Sequence, residues 1–189
     1  MLRLSDIRTK LNFSKNNGLS VFAISDILKY PEDYKIDFDV YLPTKGKNLQ
    51  RPLVWSLLQK QELILSILKD ISIPALAIIQ HTKNDSNKRR DRTYEIIDGK
   101  QRLSSLISFA KGEFPINFNG QDYYIRDLEP DANRIITNYW VKADVAYSYT
   151  YDDGSLEAFI TDDEKIKWFE MINFAGTPQD IEHLNNLKK

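Results

Sequence analysis

The run Asp98-Gly99-Lys100-Gln101-Arg102 places a carboxylate, a backbone-freeing residue and three hydrogen-bond donors in succession. A short apolar stretch, Tyr94 to Ile97, leads into it, and Leu103, Leu106, Ile107 and Ala110 follow at helical spacing. The pattern predicts a strand, an acidic-glycine turn and a helix from Gln101 to Lys111 closed by Gly112. A phosphate suits such a corner. Unpaired N–H groups converge at a helix start, Gly99 admits a ligand close to the main chain, and Arg102 offers a planar donor fork. It is not a Walker A loop, because Tyr94 stands where the earlier glycine belongs and Gln101 where Ser or Thr should follow Lys100. The same residues also fit a plain Asp-Gly turn followed by a solvated arginine.

A second chemical feature is the basic run Lys88-Arg89-Arg90-Asp91-Arg92, in which Lys88, Arg89, Arg90 and Arg92 could meet the phosphates of DNA or of a nucleotide, or form a solvated hairpin tip. The acidic Thr161-Asp162-Asp163-Glu164 reads as a capping box, since carboxylates in a first helical turn complement the dipole without any metal. With no cysteine and only His81 and His183, disulfides, thiolate sites and histidine-rich metal centres are excluded. The net charge of −1 gives no global attraction to nucleic acid. No apolar run approaches the roughly 18 residues that cross a bilayer, and no signal-peptide core is visible, so a cytoplasmic protein without membrane partners is expected.

The elements that must position the corner follow from periodicity. The 189 residues, 42% hydrophobic, suit one domain, with 1–18 as a loosely held arm. A short amphipathic helix is expected over Ser20 to Tyr30, stopping at Pro31, and a half-buried strand over Tyr34 to Leu42. Ser56 caps a helix to Lys69 with Leu57, Leu58, Ile64, Leu65 and Leu68 inward, and Trp55 serves as a core anchor. Ala75 to Gln80 and Tyr94 to Ile97 form a central pair, covered on both faces and separated by a loop from His81 to Thr93. Asn119-Gly120 marks a hairpin, and Pro130 opens a helix to about Trp140. Val141 to Tyr151 is a strand with Tyr147, Tyr149 and Tyr151 on one face. Asp152-Asp153-Gly154 turns, a helix runs from Thr161 to about Phe174, and Thr177 to Asp180 cap a last helix.

Three blocks carry a resemblance. Ile97 to Leu103 resembles the DGQQR-type signature of the ParB/sulfiredoxin-like domain that opens GmrSD-type modification-dependent restriction enzymes and their phage-defence relatives. Gln50-Arg51-Pro52-Leu53-Val54-Trp55, with Ile67 to Pro74, resembles that family's second block, and Met171 to Pro178 resembles its "RIN-x-G-x-P" block. The resemblance implies an α+β, ParB/sulfiredoxin-like fold, a small mixed sheet flanked by helices. It further implies nucleotide triphosphate binding and Mg²⁺-dependent hydrolysis in a bacterial or phage-infected cell, with a homodimer as one form. Carried residue by residue, it gives Asp98, Gln101 and Arg102 as catalytic, and Arg51, Gly99, Lys100, Asn173 and Gly176 as nucleotide-binding. Asn173 also becomes a Mg²⁺ ligand, for which a carboxamide oxygen is acceptable. Lys100 departs from the family's usual glutamine, which opens a tighter phosphate contact, a different ligand or loss of hydrolysis. The family's usual C-terminal domains do not follow, which fits an accessory protein or one half of a two-protein system. The alternative from another class is a non-catalytic module that binds DNA or a partner protein with the same fold.

Overall fold

The computed structural model describes residues 11–84, 90–151, 156–157 and 159–174. In chain order, β1 is Lys15–Ala23, α1 Ile24–Lys29, β2 Lys35–Asp37, β3 Tyr41–Leu42, β4 Lys47–Asn48 and α2 Leu57–Leu68. There follow β5 Leu76–Asn84, β6 Arg90–Asp98, α3 Lys100–Ala110, β7 Ile116–Phe118 and β8 Gln121–Tyr123. The last are α4 Pro130–Thr137, β9 Trp140–Thr150, β10 Leu156–Glu157 and α5 Asp162–Phe174. The architecture is α+β. A mixed sheet in the order β1-β9-β5-β6-β2, with β10 also on β9, is flanked by helices. β5 runs parallel to β9 and antiparallel to β6.

Alternate residues of β5 and β6 feed two separate cores. Leu76, Ile78, Tyr94 and Ile96 join Leu63, Ile64, Leu103, Leu106 and Phe109 on the first face, which α2, α3 and α4 cover. Ala77, Ile79 and Ile97 join Ile166, Trp168 and Phe169 of α5 on the second face. A strand pair buried on both sides has no need of polar alternation, which is why the sequence reads as continuous apolar runs there.

Local signals landed where side-chain chemistry is self-sufficient. Ser56 and Gln59 form a reciprocal capping box at α2, and Thr161 and Glu164 another at α5. Asn119 and Gly120 take φ of 53° and 80° between β7 and β8, and Pro130 is the first residue of α4.

Four expectations change. The helix expected from Ser20 begins only at Ile24, because residues 15–23, including part of the supposed arm, pair with β9. The expected strand from Tyr34 to Leu42 breaks after Asp37, whose Oδ1 accepts the N–H groups of Asp39 and Val40 at 2.9 and 3.0 Å. The loop expected from His81 is strand through Asn84 and again from Arg90. Leu57 and Leu58, expected inward, are exposed, and Gln61, Leu63 and Ile67 occupy the buried face instead. The Asp152-Asp153-Gly154 turn and the last helix lie outside the described residues.

Across the second face an ion cluster fastens α5 to the sheet. Lys165 Nζ lies 2.8 Å from both carboxylate oxygens of Glu95, and His81 Nε2 lies 3.0 Å from Oε2, a hydrogen bond when that nitrogen carries the proton. Burial would raise the Glu95 pKa, but the hydrogen bonds and charges of His81 and Lys165 outweigh it and hold the carboxyl below its ordinary value of 4.5. A carboxyl with a depressed folded-state pKa contributes stability above the ordinary value, and loses that contribution as pH falls through the lower folded-state value. Glu95→Ala, which strands the buried Lys165 ammonium, is expected to cost about 3 kcal/mol in urea unfolding at pH 7. The gap from wild type should narrow steadily below about pH 4.5. A gap that is constant with pH would show that the carboxylate charge is not what holds α5.

Candidate phosphate site

The β6–α3 corner is built around Gly99. Its φ of +99° belongs to the left-handed region, and a Cβ there would fall 2.1 Å from Leu76 Cδ2 at the start of β5. Conformation and space both require glycine. Asp98 precedes it, and Arg102, one helical turn later, returns to it: Nη2 donates to Asp98 Oδ2 at 2.5 Å while Nη1 donates to the Pro74 carbonyl at 2.6 Å. Both side chains are mostly buried, at 13% and 19% exposure, so this pair ties the helix start to the chain entering β5. Tyr139 lies close by. Burial pushes its phenol pKa up, and the Arg102 charge opposes part of that rise. Leu76, Arg102, Leu103 and Tyr139 line a cavity of about 10 Å³ there, room for about one water.

Lys100, the first residue of α3, is buried, and its Nζ donates to Asp39 Oδ1 at 2.5 Å. The turn after β2 presents Asp39. Val40 takes φ +52°, a costly conformation for a β-branched residue, and is held there by Asp37 Oδ1 and by the Leu49 N–H on its carbonyl at 2.9 Å. The Asp39 carbonyl accepts the Gln50 N–H at 3.1 Å.

Two glutamines close the third wall. Gln50 Nε2 donates to the carbonyls of Ile96 and Ile97 at 3.0 and 2.5 Å. Gln101 Nε2 donates to the Pro52 carbonyl at 2.9 Å, and its Oε1 accepts the N–H groups of Val54 and Trp55, each at 3.2 Å. Segment 50–55 is thus clamped along the end of β6 and the first turn of α3. Arg51, half-buried within it, makes no ion pair or hydrogen bond with the described residues.

The structure therefore gathers Arg51, Asp98, Gly99, Lys100, Gln101 and Arg102 at one corner. Asn173 is buried on α5, on the second face, with Nδ2 donating to the Phe169 carbonyl at 2.7 Å. Among the described residues no group of three His, Cys, Asp or Glu side chains could hold a metal ion. Gly176, Lys88 and Arg89 lie outside the described residues. Arg90 contributes backbone to β6, Arg92 is exposed on it, and Asp91 within that basic run is already paired with Lys35 at 2.7 Å. Asp39 and Gln50 are the site residues the sequence reading missed. The only signal for Asp39 was the pair Asp37-Phe38-Asp39, two poor strand formers inside an apparent strand.

A family model described as the GmrSD restriction endonuclease N-terminal domain matches residues 24–187. No curated protein and no solved structure shows a significant match.

Gly99→Ala should destabilise the fold by on the order of 2–3 kcal/mol, the left-handed penalty plus the overlap with Leu76. Urea unfolding followed by circular dichroism measures it. A loss no greater than for Ala at an ordinary exposed helix position would show that the corner does not need glycine.

Proposed function

The chain belongs to the family of GmrSD restriction endonuclease N-terminal domains and with it to a restriction-type, phage-defence setting; from that premise we propose that it is a nucleotide-binding module whose ligand phosphates rest at the β6–α3 corner. The observation that carries this reading is the double clamp by Gln50 and Gln101, which sets Arg51 beside the helix start that bears Lys100 and Arg102. Three cations and the first amides of α3 then face two carboxylates, an excess of positive charge suited to a polyphosphate. Arg51 and Lys100 contact the phosphates, and the Gly99 turn lets them approach the main chain. The Asp98–Arg102 pair and Gln101 keep the walls in place. Mg²⁺ belongs to this reading as the companion of the triphosphate, held mainly by phosphate oxygens and water. Hydrolysis requires the helix start to open so that Asp98 exchanges Arg102 for an attacking water.

A second reading, a partner-protein module, is favoured by the exposed side chains of Leu53, Val54, Leu57 and Leu58, which make an apolar rim directly beside the clamped segment.

Thermal-shift and phosphate-release assays with the four NTPs and Mg²⁺ separate the readings. The expected outcome is stabilisation by at least one NTP, with affinity weakened about tenfold in Arg51→Ala, a loss of about 1.4 kcal/mol. Phosphate release that disappears in Asp98→Ala would make the module an NTPase, and binding without release would make it a sensor. No NTP effect, together with association through the apolar rim that Leu58→Asp abolishes, would replace this reading by the second.

A further inference from the structure

The two ion pairs at the corner differ in which partner can leave. In Arg102–Asp98 both side chains are enclosed, and the guanidinium has a further bond to Pro74, so neither charge reaches water without opening the helix start. In Lys100–Asp39 the cation is 7% exposed and the anion 61%. The ammonium is fixed among buried groups at the start of α3 and requires a counter-ion, because an unpaired buried charge is strongly disfavoured. The carboxylate is under no such constraint. Its backbone is held by Asp37 and Gln50, but its side chain is mostly hydrated and can rotate into solvent at little cost.

We infer that Lys100 is the exchangeable cation of the phosphate site and that Asp39 is its resident counter-ion, displaced when a polyphosphate binds. The inference rests on the reading of this corner as a phosphate site, and it deepens that reading by assigning the competitor that sets the ligand's charge requirement. An incoming group must outbid a carboxylate already in place, which disfavours orthophosphate and favours a ligand with three linked phosphates, whether a nucleotide or inorganic tripolyphosphate. It also gives the lysine at position 100 a physical role that a neutral glutamine could not fill, because a glutamine would neither need Asp39 nor attract phosphate charge.

Calorimetric titration of wild type, Asp39→Asn, Asp39→Ser and Lys100→Gln with orthophosphate, tripolyphosphate and the four NTPs tests it. Removing the competitor should tighten tripolyphosphate binding about tenfold, and Lys100→Gln should weaken it at least as much. Adding Asp39→Asn to Lys100→Gln should restore nothing, since the two act on one contact. Equal tightening for tripolyphosphate and NTPs assigns the effect to the phosphates, and tightening for NTPs alone would overturn the assignment to phosphate charge. On the wild-type protein, the Asp39 carboxyl ¹³C resonance should move to the position of free aspartate as tripolyphosphate is added, while that of Asp98 stays. If wild type binds but the Asp39 variants bind no tighter, or the Asp98 resonance moves instead, the exchange is wrong and the phosphate corner stands. If nothing binds to any form, the corner reading falls with it.

Discussion

The contact between Gly99 and Leu76 decides where β6 stops and α3 begins. A left-handed residue turns the chain, and the missing side chain lets the first residue of β5 press against the turn. Because β5 and β6 are antiparallel neighbours, this packing fixes the ends of both strands together, with Ala77 opposite Asp98. The position of Lys100 and Arg102 in space follows from that closure. So does the position of segment 50–55, which has no regular structure of its own and takes its course from Gln50 on β6 and Gln101 on α3. A segment fastened at two points by side-chain amides loses its freedom before any ligand arrives, which lowers the ordering cost of binding.

The charges gathered at the corner are arranged so that none is both buried and alone. Asp98 neutralises Arg102, and Asp39 neutralises Lys100. The same logic operates on the second face, where Glu95 meets Lys165 and His81. These buried pairs add little net stability compared with apolar contacts of similar volume, since desolvation offsets most of the attraction. Their value is in register. Each joins segments far apart in the chain, except Asp98–Arg102, which joins a strand end to the helix it turns into. The strained Val40 belongs to the same economy. Its conformation is maintained by Asp37, Leu49 and complete burial, and its consequence is that the preceding carboxylate is aimed at α3.

Features governed by neighbours in sequence were legible in it. The Ser56 cap, the Thr161 capping box, the Asn119-Gly120 hairpin, Pro130 at a helix start and Gly112 with φ +77° all depend on residues within a few positions. The α+β class and the family both came from the resemblance, carried by blocks that lie within the matched residues 24–187. What was not legible depends on partners distant in the chain. Val21 has helical spacing to Ile24 but lies in β1, whose ladder with β9 overrides the period. Tyr34, Ile36, Phe38, Val40 and Leu42 alternate without interruption, yet the first three pack in one core and the last two in the other, because the Asp37 turn carries the chain past the sheet edge. Leu57 and Leu58 satisfy an inward pattern over a first turn that has nothing beneath it to cover.

β6 has a particular place in the molecule. Glu95 and Asp98 are three residues apart on one strand and point to opposite faces, Glu95 toward α5 and Asp98 toward α3. Between them, the carbonyls of Ile96 and Ile97 receive the amide of Gln50, the residue before Arg51. A shift of β6 along its axis would therefore disturb the Lys165 contact on one side and the walls of the corner on the other, with no intermediate side chain able to absorb it, since Ile96 and Ile97 are fully buried. Packed interiors of this kind change between discrete arrangements and resist gradual deformation. α5 meets the surroundings of the corner both through this strand and through the loop after β3, where Asp162 accepts from Thr44 and Asp163 pairs with Lys45, so how firmly α5 is held bears on the corner's walls from two sides.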